Sequence, residues 1–243
     1  MSLRKIETFK ERWNELHRHF NNGNDNQAFL MRLRRAISWL DRVKHVKKEK
    51  VKGKGEDFDT QFIFLWIAFN ALYARDPRKF INDEQNSSKI AFKKYFNTLL
   101  NLDTEARERV FKIVENNIRK EIDKLLNNKF VSAEFWNYHQ GISDKAYRHK
   151  WVVVLKGKLD TRDTDKILGM VFTRLYVLRN QLMHGGATWK GGLNHPQLRE
   201  GTKIMLWLLP VFIDLMLENP EANWGEVFYP RVGERSIDPF ILT

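Results

Sequence analysis

The chain has 243 residues, of which 42% are hydrophobic and 30% are charged, a balance typical of globular proteins rather than disordered or fibrous ones. Because it contains no cysteine, the composition excludes disulfide scaffolds, cysteine-based zinc or iron–sulfur sites and cysteine nucleophiles. The net charge of +12 is concentrated near the N-terminus, where residues 1–54 carry 15 lysines and arginines against six acidic residues. Such an excess attracts polyanions, but it is also compatible with a solvated helix end that runs into a lysine-rich loop.

No segment of the sequence predicts export or membrane insertion. The first 13 residues, MSLRKIETFKERW, lack the apolar run of a secretory signal. The two most apolar stretches, 62–74 and 204–217, are shorter than the roughly 20 residues that a membrane-spanning helix needs. We therefore expect a soluble, cytoplasmic protein with no membrane partner.

Apolar residues recur at helical spacing along most of the chain, which predicts an all-α bundle. In the segment 151–155 the residues suit either a strand or a helical turn, and the start signals from Asp144 onward favour a helix. We expect Asp59 or Thr60 to cap the third helix and Asp76-Pro77 to stop it. In chain order, the predicted helices are 3–20, 25–47, 59–73, 88–101, 103–127, a short one around 135–138, 163–184 and 195–218.

The pattern divides into three regions. Residues 1–58 form a helical hairpin and a basic loop that we expect to pack on the core. Residues 59–219 form the main helical domain, and residues 220–243, which include three prolines, form an extended tail.

The predicted helix 61–73 is apolar on every face, so we expect it at the centre of the bundle, surrounded by other helices. Asn70 is the exception in this helix. A buried amide without partners costs about 1–3 kcal/mol. Asn70 therefore either bonds a neighbouring backbone group or orients a catalytic side chain on an adjacent helix.

The segment 175–186, LYVLRNQLMHGG, holds three polar side chains near a helix end. Asn180 and His184 are four residues apart and lie about 40° apart around the helix axis. Arg179 lies about 140° from His184, although its side chain is long enough to reach the same groove. The plain alternative is a histidine at a glycine-closed helix C-terminus beside a surface arginine.

Residues 179–184 resemble the Arg-(x)4-His motif of the HEPN superfamily (higher eukaryotes and prokaryotes nucleotide-binding). The residues around the motif add specificity, because Asn follows the arginine and Gly-Gly follows the histidine. Residues 64–73, FLWIAFNALY, look like the early core helix of the Apea-like branch of this superfamily. The resemblance covers roughly residues 59–218.

The resemblance implies a HEPN-like helical domain that pairs two-fold and acts as a metal-independent endoribonuclease in toxin–antitoxin, phage-defence or RNA-processing systems. His184 would be the general acid or base, Arg179 would stabilise the phosphate and Asn180 would position it, with Asn70 supporting them. No metal and no cofactor would be needed. The implied partners are RNA, a second copy of the chain and an antitoxin or other partner protein. The basic residues expected to guide RNA are Arg42, Lys44, Lys47, Lys48, Lys50, Lys52 and Lys54.

Three other readings compete with a ribonuclease. The first is a non-catalytic HEPN-fold module that binds nucleic acid, a nucleotide or a protein. The second is a helical adaptor that docks a protein through Trp189 and Trp224, since the other tryptophans mostly fall on apolar stripes. The third is a metal enzyme, for which the seven histidines show no ligand spacing.

Overall fold

The computed structural model describes residues 5–20, 26–48, 55–74, 87–145, 147, 151–192, 194–227, 229 and 239–240. Within these residues every regular element is helical, which confirms the all-α prediction. None of these helices is long and apolar enough to cross a membrane. The helices are α1 (Ile6–Phe20), α2 (Gln27–Lys48), α3 (Phe58–Tyr73), α4 (Ser87–Leu100), α5 (Thr104–Asn116), α6 (Arg119–Asn127), a 3₁₀ turn (Lys129–Val131), α7 (Ala133–His139), α8 (Trp151–Asp160), α9 (Thr164–Met183) and α10 (His195–Glu218).

The most enclosed helix is α10 and not α3. Residues 208–217 of α10 are all buried, and this helix packs against α1, α2, α3, α5, α6 and α9. Helix α3 packs between α2 and α10, but Ile63, Ile67 and Asn70 on its remaining side are only half-buried. The expectation that α3 is surrounded on every face is therefore wrong, because this side borders a cleft between α3 and α9.

Two helix boundaries differ from the sequence prediction. Helix α3 is capped by Asp57, whose carboxylate accepts hydrogen bonds from the backbone and hydroxyl of Thr60, and not by Asp59 or Thr60. The predicted helix 103–127 is two helices, since α5 ends at Asn116 and α6 begins at Arg119. The break places Ile118 fully in the core. The stop expected at Asp76-Pro77 lies outside the described residues; α3 ends at Tyr73.

Arg32 joins α2 to the end of α3 and to the C-terminal tail. Its guanidinium is buried and donates to the carbonyl oxygens of Leu72 and Ala74 at 3.2 and 2.9 Å. It also donates to the carbonyls of Gly225 and Glu226 in the tail. The Leu72 and Ala74 carbonyls lie at the C-terminus of α3, where the helix itself offers no donor, and their hydrogen bonds help to explain why a buried cation is tolerated here.

A second buried charge ties the N-terminal helix to the bundle. The carboxylate of Asp214 on α10 is buried and forms ion pairs with Lys5 at 3.0 Å, Arg12 at 2.5 Å and Arg109 at 3.3 Å. Apolar residues of α1 and α2 belong to the same hydrophobic cluster as those of α3 to α10. The two N-terminal helices are therefore part of the same packed core that holds α3 and α9 in place.

Candidate functional site

The candidate site lies at the C-terminal end of α9. The helix is capped at its start by Asp163, which accepts from the Lys166 backbone, and it ends at Met183. His184 still donates its backbone N–H to Asn180, and Gly186 donates to the Gln181 carbonyl at 2.7 Å. Gly185 has a φ of +72°, a conformation that a side chain disfavours. As expected, the two glycines close the helix directly after the histidine.

Arg179 and Asn180 form a pair near this end. A terminal nitrogen of Arg179 donates to Oδ1 of Asn180 at 3.0 Å, and both side chains are half-buried. The Nε atom of Arg179 is buried and has no hydrogen-bond partner among the described residues. A guanidinium with an unused donor is suited to bind an additional oxygen ligand.

His184 lies apart from this pair. Its side chain is exposed, and in the part of the chain that the structure describes it makes no hydrogen bond or ion pair. The three polar groups are thus near one helix end, but within one chain they do not form a bonded constellation.

Asn70 and Arg179 line the same cleft, which lies between α3 and α9. The other lining side chains are apolar: Phe62, Ile63, Trp66, Ile67, Leu182 and Met183. Asn70 is half-buried, so its amide can reach water. The prediction that this amide is buried is therefore wrong. At the same end of α3, burial raises the pKa of the Tyr73 hydroxyl, and the positive charge of Arg179 opposes this shift.

The predicted basic residues fall into two groups. Arg42 and Lys47 are exposed on α2, whereas Lys44 forms an ion pair with Glu7 at 3.0 Å. The hydrogen bond from Lys44 holds the pKa of Glu7 below its usual range. The side chain of Lys48, and all of Lys50, Lys52 and Lys54, lie outside the described residues.

Arginines that precede this run have structural roles. Arg34 lies over the rings of Trp13 and Phe240, and Arg35 donates to the Tyr229 carbonyl at 2.7 Å. Together with the buried Arg32, they account for part of the N-terminal charge excess by attaching the C-terminal tail.

Of the two tryptophans predicted as interface residues, only Trp189 is exposed. Trp224 is buried, because its ring packs near Tyr95 and its indole N–H donates to the Asn219 carbonyl at 2.9 Å. The expectation that Trp224 lies on a docking surface is therefore wrong.

A contact between α9 and Phe130 was not foreseen from the sequence. Gln181, one of the residues between Arg179 and His184, donates to the Phe130 carbonyl at 2.6 Å. The Trp136 indole donates to the same carbonyl at 2.8 Å. The Gln181 bond thus joins the segment that carries the half-exposed Phe130 ring to the last turns of α9, and the Trp136 bond joins it to α7. The signal was the aromatic cluster at residues 130–138.

Among the described residues no three histidine, aspartate or glutamate side chains are grouped so as to hold a metal ion. Comparison of the chain with known protein families, with curated proteins and with solved structures finds no match. The resemblance to the HEPN superfamily therefore stays a prediction from residues 64–73 and 179–184.

Proposed function

We propose that this protein is a metal-independent endoribonuclease of HEPN type that works as a homodimer. RNA would be cut by attack of its own 2′-hydroxyl on the adjacent phosphate, leaving a 2′,3′-cyclic phosphate and a 5′-hydroxyl. The observation that carries the proposal is the buried, unpartnered Nε of Arg179 beside Asn180, one helical turn before an exposed histidine.

Arg179 supplies the charge that this reaction needs. A guanidinium that donates two N–H groups to a phosphate stabilises the negative charge that develops in the transition state. The hydrogen bond to Asn180 uses one terminal nitrogen and leaves the other for such a contact. The low-dielectric cleft lined by Trp66 and Leu182 strengthens them.

His184 would move the protons. A general base must reach the 2′-hydroxyl and a general acid must reach the 5′-oxygen, and exposed histidines near neutral pH suit both tasks. Because the His184 ring has no partner within the described residues, substrate or a second protomer would orient it.

The dimer would form through the open side of α3 and the end of α9. Here Ile63, Ile67 and Met183 present apolar surface beside Arg179. Pairing two such faces would bury this surface and bring two arginines and two histidines around one phosphate. This arrangement would explain why the groups of one chain do not form a complete site.

The test is cleavage of a single-stranded RNA in EDTA by the purified full-length protein. We expect wild type to cut, and Arg179→Ala and His184→Ala to lose at least about 100-fold in rate, in line with loss of a phosphate-stabilising group or an acid–base group. His139→Ala, which removes another exposed histidine at a helix end, is the matched control and should retain full activity.

The absence of any orienting contact to His184 in the described residues favours one alternative, a module that binds RNA without cutting it. In that case wild type and His184→Ala would bind RNA equally and neither would cut. Equal cutting by all variants would contradict both functions and indicate a different site.

A further inference from the structure

A groove on the opposite side of α9 from the core has no role in the proposed function. It has a volume of about 810 Å³ and lies between α4, α7, α8 and α9. The groove is unobstructed at Gly169, where an added methyl group would meet no atom within 4 Å. Its size is in the range of ligand sites, and it is distinct from the cleft that holds Asn70 and Arg179.

The groove is positively charged. Five basic and two acidic side chains line it, namely Lys93, Lys94, Lys158, Lys166 and Arg174 against Glu134 and Asp165. Lys93 and Lys94 are exposed, and neither has a carboxylate partner within the described ranges. Lys158 and Lys166 share one carboxylate, that of Asp163, at 3.2 and 3.3 Å. The groove therefore carries its surplus positive charge on the α4 rim, at Lys93 and Lys94.

A buried arginine adds to the positive charge of the groove. Arg174 is 3% exposed and lines the groove, with Glu134 3.9 Å away. The Glu134 side chain is itself 60% exposed, so water weakens its attraction to the guanidinium. An anion in the groove would meet both the surface lysines and this desolvated charge.

The groove and the candidate catalytic end share one face of α9. From Thr173 in the groove, Asn180 is seven and His184 eleven residues further, each within about 20° of whole turns. The distance from Thr173 to His184 along the axis is about 17 Å at 1.5 Å per residue. A ligand that left the groove along this face would pass the half-buried Asn180 and the half-exposed Phe130 ring before it reached His184.

We infer that this groove binds the phosphate backbone of single-stranded RNA and leads the strand along α9 to His184. The inference rests on the proposed function for the identity of the strand, but it concerns a separate surface. Lysine side chains carry a compact charge and impose little hydrogen-bond geometry. Several of them along a groove therefore suit the repeating phosphates of a strand better than one small anion.

The experiment measures binding of a fluorescent, single-stranded RNA whose 2′-hydroxyls are methylated, so that wild type cannot cut it. Lys93→Gln/Lys94→Gln is compared with Arg119→Gln/Lys120→Gln, which removes the same charge from adjacent exposed residues on α6. We expect the groove variant to bind several-fold more weakly and its dependence of log K on log salt to be shallower by about 1.4, the value for two lost phosphate contacts. The α6 variant should match wild type.

Equal behaviour of the two variants would overturn the inference, whether both bind like wild type or both weaken alike. Competition by a polyglutamate peptide as effective as that by RNA would overturn it in favour of an acidic protein partner. Cleavage of unmodified RNA is measured separately. If wild type does not cut but binding depends on Lys93 and Lys94, the groove assignment stands and the proposed function fails; cutting without that dependence gives the reverse.

Discussion

Two aspartates near the start of α3, two residues apart, should have opposite effects on the stability of the folded state. Asp57 caps the helix, with its carboxylate 3.1 Å from the Thr60 backbone nitrogen. Asp59 is buried, and neither of its carboxylate oxygens has a hydrogen-bond partner in the described structure. Burial raises the pKa of Asp59 above its usual range, and the nearby charge of Asp57 adds to this effect. The charged form of Asp59 therefore opposes folding.

Replacing Asp59 should stabilise the protein at neutral pH. The pKa of Asp59 is higher in the native state than in the unfolded chain, where it is about 3.9. Between these two pKa values the native state keeps a proton that the unfolded chain has released, so wild-type stability falls as pH rises through this range. Asp59→Asn removes the penalty, so it should have a higher free energy of unfolding than wild type at pH 7. The difference should shrink towards about pH 4.

Urea denaturation at several pH values measures this effect. Asp57→Ala is the contrasting variant and should lose about 1 kcal/mol at pH 7, because it removes the helix cap. An Asp59→Asn protein that is less stable than wild type at pH 7 would contradict the account of this site.

Arg32 should be among the residues most sensitive to substitution. Arg32→Met keeps much of the volume but leaves the carbonyls at the end of α3 and in the tail without a donor, and we expect a loss of about 3–5 kcal/mol in urea denaturation. Arg35→Met removes one exposed contact to the tail and should lose less than about 1 kcal/mol. Similar losses for both would show that Arg32 has no special role.

At the scale of the helix, the closing glycine of α9 and an interior glycine of α8 allow a paired test. Gly185→Ala places a side chain at φ +72° and should destabilise by about 1 kcal/mol, whereas Gly157→Ala lies inside a helix with open space around it and should stabilise by up to about 1 kcal/mol. Thermal unfolding of the two variants checks the opposite signs. A stable Gly185→Ala protein would mean that the end of α9 is not held as described.

Periodicity located the helices to within a few residues, because their buried faces follow the 3.6-residue repeat. It missed the break between α5 and α6, where the apolar pattern continues through the fully buried Ile118. The Asn116-Asn117 pair, poor in helix propensity, was the available signal. For α3, an apolar surface all round predicted burial, but composition does not reveal whether the covering surface belongs to the same chain.

The site was predictable only where its residues are neighbours in sequence. Asn180, His184 and the closing glycines follow from helix geometry. The partners of Arg32 are about 40 and 190 residues away, so no local pattern marks that arginine as structural. The basic groove likewise combines α4, α7, α8 and α9, and only the tertiary fold brings these helices together.

For the whole molecule, the account predicts a dimer that depends on the open face of α3 and α9. Ile67→Glu places a charge in the apolar contact and should shift the protein to a monomer in light scattering while its helical circular dichroism is retained, because this residue is half-exposed in one chain. Met183→Glu, at a side chain that is 52% exposed, should do the same.

Ile142→Glu is the matched control for these variants, since Ile142 is 68% exposed and does not line that cleft. It should leave the dimer intact. A monomeric wild type, or a dimer that survives both Ile67→Glu and Met183→Glu, would contradict the proposed arrangement of two sites around one phosphate.

If Arg179 and His184 cleave RNA through its own 2′-hydroxyl, mass spectrometry of the cut ends will identify the products. A defined RNA oligonucleotide is incubated in EDTA with wild type and with the Arg179→Ala/His184→Ala double variant. The account predicts 2′,3′-cyclic phosphate and 5′-hydroxyl ends from wild type and intact RNA from the variant. Intact RNA with both proteins, equal cutting by both, or 3′-hydroxyl ends would contradict it.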